Sequence, residues 1–121
     1  MDTRTKIVIP EVAPRECTVV TGAFDVVLAE DARELAKIRA GGGERPLMVV
    51  VLPVAGELLP QRARAELAAA LRMVDYVVIA DDAAPDALLA LLEPAQLVRL
   101  EEVHTARKRQ LTEHVQRRQT N

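Results

Sequence analysis

Residues that could do chemistry concentrate in one short junction, at positions 20–31, where an apolar run gives way to a helical pattern. Gly22 permits a close approach between the backbone and a ligand, because it has no side chain. Asp25, Glu30 and Asp31 add three carboxylates to the same junction. Carboxylates can hold a magnesium ion against a phosphate, and they can also stabilise the amino end of a helix. The junction therefore predicts a ligand site or a helix start, and both interpretations stay open.

The elements that must position this junction alternate along the chain. Apolar runs rich in β-branched residues predict four strands, at 17–21, 47–52, 75–79 and 96–100. Residues 6–9 are a short strand or an extended lead-in. Periodic apolar positions predict helices at 31–40, 61–73, 85–92 and 104–118. This alternation predicts one α/β domain over residues 1–121, a Rossmann-like parallel sheet with helices on both faces.

Local signals place the junction within that sheet. Asp31-x-x-Glu34 predicts a capping box at the start of the first helix. Ligands of parallel α/β sheets bind at the carboxyl ends of the strands, where the order of the strands reverses. The junction at 20–31 follows the first clear strand, so it falls at such an end.

Composition excludes several classes of function. The chain carries 16 basic and 18 acidic residues, so its net charge of -2 gives no general reason to bind nucleic acid or a membrane. Phe24 and Tyr76 are the only aromatic residues, which leaves little surface for stacking on bases. No apolar run reaches the roughly 18–20 residues of a membrane span, and no leader is recognisable. A cytoplasmic protein is expected.

Metal and disulfide chemistry have few candidate residues. Cys17 is the one cysteine, so neither an internal disulfide nor a multi-cysteine metal site can form within the chain. Its strand pattern predicts a buried, inert thiol. His104 and His114 are ten residues apart, whereas zinc ligands on a helix are spaced by three or four. No metal site is expected.

The junction resembles the opening of the cytidylyltransferase-like nucleotidyltransferases. In that family a strand is followed by G-x-F-D, two apolar residues, and H-x-G-H at the start of a helix. Gly22, Phe24 and Asp25 match the first motif in type and spacing. Further matches keep the family's order: Pro60 with Arg64, the segment Ala70-Leu71-x-x-Val74-Asp75-Tyr76-Val77-Val78, then Pro85, then Leu97-Val98-Arg99. The resemblance covers about residues 17–100 and is strongest to the sugar-phosphate and glycerol-phosphate members, such as the nucleotidyltransferase domain of ADP-heptose synthase.

The second motif departs from the family. Leu28 and Asp31 stand at the two histidine positions of H-x-G-H, and Glu30 replaces its glycine. In the family those histidines hold the nucleotide triphosphate and stabilise the charge on the leaving pyrophosphate. Carboxylates at a helix start oppose a phosphate there. The resemblance thus implies a degenerate, non-catalytic domain with no catalytic residue, and a residual nucleotide-binding or protein-interaction role.

By resemblance, a nucleotide would contact Gly22, Phe24, Asp25, Arg64 and Arg99. The competing interpretations make Phe24 a core residue beneath the loop and Arg64 an exposed helix arginine. The expected partners are a nucleotide or a second copy of the chain, and no cofactor is expected. The alternative is an active transferase on a sugar or polyol phosphate, and only that alternative calls for Mg²⁺.

The last predicted helix is basic. It carries five basic residues, in the runs Arg107-Lys108-Arg109 and Arg117-Arg118, and one acidic residue, Glu113. This pattern predicts either a surface for an anion or acidic partner, or a solvated helix with cations near its carboxyl end.

Overall fold

A computed structural model describes residues 2–25, 29–104, 106, 109–111 and 113 of the chain. In this part, four strands are present: β1 (Thr18–Gly22), β2 (Leu47–Val51), β3 (Tyr76–Ile79) and β4 (Gln96–Arg99). They form one parallel sheet in the order β3-β2-β1-β4. The predicted parallel α/β architecture is confirmed, and each strand lies within a residue or two of its predicted position.

Helices connect the strands. They are α1 (Ala29–Gly41), α2 (Gln61–Ala69) and α3 (Asp86–Leu92), and after β4 the described residues 101–104, 106, 109–111 and 113 are helical. The last helical segment begins at 101 rather than at 104. Its predicted continuation over 114–118 lies outside the described residues. The predicted helix over 61–73 is too long, because the Val74 N–H bonds to Leu71 O in a turn that redirects the chain into β3.

The predicted capping box is wrong. Since α1 begins at Ala29, Asp31 lies inside its first turn rather than before it. Asp31 is also 4% exposed, whereas Glu34 is exposed. The Asp31 carboxylate is turned inward by its packing against a side chain from another element, described below, which a local motif cannot anticipate.

The sheet separates two cores. Helices α1 and α2 cover one face through Leu35, Ala65, Ala68 and Ala69. On the other face α3 contributes Leu89 and Leu92, which pack with Cys17 and with the alternate residues of β1 and β2. Every residue of β1 and β2 is buried, as expected for central strands covered on both faces.

The two edges of the sheet differ. The short 3-10 helix Thr3–Lys6 leads into Ile7, which bridges to Val77 on the outer side of β3, and the Val8 N–H donates to Val77 O. Residues 6–9 are therefore mainly an extended lead-in that covers this edge. On the other edge, no described segment pairs with the outer side of β4.

Candidate functional site at the carboxyl end of the sheet

The predicted junction lies where the strand order reverses. From β1 the chain passes through α1 to β2 on one side, while β4 lies on the other side of β1. The carboxyl ends of β1 and β4 therefore meet beside the start of α1, which is the usual ligand position in such sheets. Of the residues that follow β1, positions 26–28 lie outside the described part of the chain, and with them Leu28.

Side chains of the chain itself occupy the space beside Gly22. A methyl group at Gly22 would lie 2.6 Å from Cε1 of His104 and 2.8 Å from Cε2 of Phe24. His104 and Phe24 are both buried, and their rings meet edge to face with centroids 4.5 Å apart. The space above the end of β1 is thus filled by the chain's own imidazole.

His104 also makes polar contacts on both ring nitrogens. The Phe24 N–H donates to Nδ1 over 3.3 Å, so Nδ1 carries no proton and the neutral ring is protonated at Nε2. Nε2 lies 3.6 Å from Oδ1 of Asp31, a carboxylate that is itself buried. Phe24 holds a positive φ of 51°, an uncommon conformation that directs its N–H toward the imidazole. His104 therefore joins the end of β1 to the first turn of α1.

Asp25 holds the loop after β2. Its carboxylate accepts the Leu58 N–H at 2.7 Å and the Leu59 N–H at 2.9 Å, and the side chain is buried. Backbone N–H groups favour the ionised form of a carboxyl group. A buried carboxylate held this way tethers the loop between β2 and α2 to the end of β1.

Arg64 is fully buried, so the interpretation as an exposed helix arginine is wrong. Its Nη1 donates to Ala23 O and Leu52 O, at 2.7 and 2.8 Å, and its Nε donates to Leu59 O. Its Nη2 pairs with Glu57 Oε2 at 2.8 Å. The guanidinium does point to the carboxyl ends of β1 and β2, but each of its nitrogens bonds to the protein itself.

Arg99 is half exposed at the end of β4. It forms two long ion pairs, at 3.5 Å with Asp86 and at 3.9 Å with Glu101. Glu101 also accepts the Thr21 hydroxyl at 2.7 Å. Exposed pairs of this length contribute little to stability. Arg99 is thus the one predicted contact residue whose charge remains at the surface, and carboxylates surround it.

A cleft of about 510 Å³ opens beside this site, between α1 and the turn after β4. Its lining comes from Glu30, Asp31, Arg33, Glu34, Lys37, Leu100, Val103 and His104. Both signs of charge line the cleft, so it has no clear preference for an anion. Among the described residues, no three His, Cys, Asp or Glu side chains are placed to hold a metal ion.

His104 is the site residue that sequence reasoning missed. Nothing in the local pattern links His104 to Gly22, because 82 positions separate them. The signal that could have found it is topological. Once β4 is placed beside β1, the residues after β4 must emerge next to the residues after β1.

Comparisons with known proteins leave the family open. No protein-family model matches the chain, and no curated protein matches it. In the described part of the chain, no helix has the length and apolar character needed to cross a bilayer.

Proposed function

We propose that this chain is a nucleotidyltransferase-like domain without transferase activity that serves as a protein-interaction domain. One observation carries the proposal: two of the three charged side chains expected to contact a nucleotide, Asp25 and Arg64, are bonded to the chain's own backbone. Asp25 accepts two loop N–H groups, and Arg64 donates to three carbonyl oxygens. To reach a ligand, either side chain would have to give up these bonds, and each buried carbonyl oxygen left unpaired, at Ala23 and Leu52, costs about 1–3 kcal/mol.

The shape of the site supports the same conclusion. A nucleotide that used Gly22 for close approach would need the volume that the His104 ring occupies. Moving the ring would expose its contact with Phe24 and leave the Asp31 carboxylate without the nearby Nε2–H. Both changes would disturb contacts in a buried part of the chain.

The charge at the site also opposes a triphosphate. Glu30 and Asp31 lie in the first turn of α1, and Glu101 lies beside Thr21 at the end of β1. A unit charge 4 Å from a carboxylate of the same sign meets a cost of about 1 kcal/mol in water and about 4 kcal/mol at an effective dielectric of 20. The basic side chains nearby are Arg33 and Lys37 on the cleft wall and Arg99 at the end of β4, and Glu34 on the same wall adds a fourth carboxylate, so the site carries no excess of positive charge.

The test combines turnover with binding. We expect no pyrophosphate release from CTP or ATP with sugar or polyol phosphates, and no thermal shift from either nucleotide with Mg²⁺. A nucleotide at 100 times its Kd would add about 2.7 kcal/mol, or a rise in Tm of about 10 °C. Turnover above the enzyme-free background that is lost in Asp31→Ala would overturn the proposal in favour of a metal-assisted transferase. A thermal shift without turnover would favour the residual nucleotide-binding role over protein interaction.

A further inference from the structure

A second cleft lies at the β3 edge of the sheet, whereas His104 follows β4 at the other edge. It has a volume of about 550 Å³ and opens between the lead-in segment at 9–11 and the connection from β3 to α3. Its apolar lining comes from Ile9, Ile79, Pro85, Ala87 and Leu88. Ile9 is 60% exposed, although it lies beside a buried β3. Exposed apolar side chains that line a concave surface are typical of interaction sites.

Carboxylates surround this apolar cleft. Glu11, Asp81 and Asp82 contribute to its lining, and all three are exposed. Asp82 accepts the Ala84 N–H and so shapes the loop. Among the described residues, no basic side chain forms an ion pair with any of the three. The cleft therefore suits a segment that carries apolar and basic side chains together.

The chain itself contains such a segment after His104. Residues 105–121 carry five basic residues against one acidic residue, with Leu111 and Val115 as apolar positions. Of this segment, the described Arg109 and Leu111 are exposed, and neither lines the cleft. The segment leaves the sheet at β4, whereas the cleft adjoins β3, about 14 Å away across three strand spacings. Because the described residues of this segment do not line the cleft of their own chain, the occupant we consider comes from another molecule.

We propose that the acidic-rimmed cleft binds the basic carboxyl-terminal segment of a second copy of this chain. The inference rests on the interaction role proposed above and gives it a partner. The contact is head-to-tail rather than two-fold symmetric, because the cleft and the segment are different surfaces. A cleft of this size takes one short segment, so the association belongs to the weak class and depends on salt.

Complementation between two variants tests this geometry by sedimentation velocity. Glu11→Lys/Asp81→Lys reverses the rim of the cleft and spares Asp82, which shapes the loop. Arg107→Glu/Lys108→Glu/Arg109→Glu reverses the segment. We expect the wild-type chain to associate at low salt and each variant alone to associate about tenfold more weakly or worse. An equimolar mixture should recover a one-to-one complex, because each variant retains the surface that the other lacks. Glu44→Lys/Glu102→Lys, an equal charge change at exposed carboxylates outside the cleft, should associate like the wild type.

Three outcomes would overturn the inference. A wild-type chain that is monomeric at low salt and about 100 µM would exclude an interaction of even the weak class. Association that persists in the cleft variant would place the contact on another surface. The third outcome combines two failures: the two variants do not form a complex when mixed, and a labelled peptide of residues 105–121 does not bind the variant Arg107→Glu/Lys108→Glu/Arg109→Glu. Together these failures would exclude the pairing of cleft and segment. None of these outcomes bears on nucleotide binding or turnover, which test the proposed function separately.

Discussion

At the scale of single residues, the contact between Gly22 and His104 fixes the end of β1. The ring lies where any side chain at position 22 would have to go, and it also bonds the Phe24 N–H. His104 thereby fills the space at the end of β1 and also accepts a hydrogen bond there, at a place where the family resemblance predicts a phosphate. The effects of substitutions at Gly22 and at His104 on the free energy of unfolding should consequently not be additive.

Gly22→Ala is expected to lower the free energy of unfolding by about 1–3 kcal/mol, because the added methyl group overpacks a buried site. His104→Ala should also destabilise, but the double variant should lose less than the sum of the two. Urea melts of the four proteins measure this coupling. Gly41→Ala is the matched control, since a methyl group there meets no atom within 4 Å and α1 gains from alanine. Additive losses would contradict the assigned contact.

Cys17 gives a residue-scale prediction about pH. Burial raises the pKa of its thiol above the ordinary value of 9.0, and the Asp75 carboxylate adds a smaller contribution. Above pH 9.0 the unfolded chain has therefore released a proton that the folded chain retains. The resulting stability is present in full below the ordinary pKa and is lost as the pH rises through the raised one. The free energy of unfolding should fall between about pH 8 and pH 10 more steeply in the wild type than in Cys17→Ala. Equal slopes in urea melts would show that the thiol is not the cause.

At the scale of elements, Arg64 and Asp25 attach one loop to the sheet. Arg64 on α2 donates to carbonyl oxygens at 23, 52 and 59, and Asp25 accepts from the N–H groups of Leu58 and Leu59. The loop between β2 and α2 contains no strand or helix residues, and its first residue, Leu52, donates its N–H to Gly22 O. These two side chains therefore contribute to the conformation of the loop.

Arg64→Met is expected to cost at least about 3 kcal/mol, because two buried carbonyl oxygens, at 23 and 52, and a partly buried one, at 59, lose their donor. Arg62→Met provides the matched control on the same helix, since Arg62 is exposed and forms only a surface pair with Glu66. That control should change stability by about 0.5 kcal/mol or less.

Hydrogen exchange should also show faster exchange of the Leu58 and Leu59 amides in Asp25→Asn. Unchanged exchange at those amides would mean that the loop is held by other contacts.

At the scale of the whole molecule, the proposed loss of activity involves more than the two histidine positions of the family motif. Leu28→His/Asp31→His would return both histidines of the family motif and remove one carboxylate from the start of α1. The contact of His104 with Asp31 would be lost, but the bonds of His104 with the Phe24 N–H, of Arg64 with Ala23 O and of Glu101 with the Thr21 hydroxyl would remain. We expect tighter nucleotide binding by calorimetry and no pyrophosphate release.

The opposite results for the double variant are equally informative. Robust synthesis would mean that the remaining site is intact and that the loss of histidine alone silences the domain. No gain in affinity would count against the location of the site at residues 22–31, and so against the resemblance. The unsubstituted chain, measured with the same nucleotides, is the reference for both.

The sequence by itself determined the layers of the fold. Runs such as 47–52 have no polar position, so they must be strands covered on both faces, and the helical patterns between them require parallel crossovers. The burial of Cys17 and Phe24 could be predicted for the same reason, because Cys17 directly precedes β1 and Phe24 follows it within two residues. These features depend on residues that are close in the sequence, and the spacing of apolar residues is a property of such local stretches.

Only the tertiary structure decided what the site residues do. Arg64 has the sequence context of an exposed helix residue, and Asp31 has that of a cap. In the folded chain both side chains are buried: Arg64 bonds to a residue 41 positions away, and Asp31 contacts one 73 positions away. His104 reaches Gly22 because β4 pairs with β1, and no local pattern encodes that pairing. Contacts between distant positions form only after the strands are ordered in the sheet, so the chemistry of this junction was settled by packing.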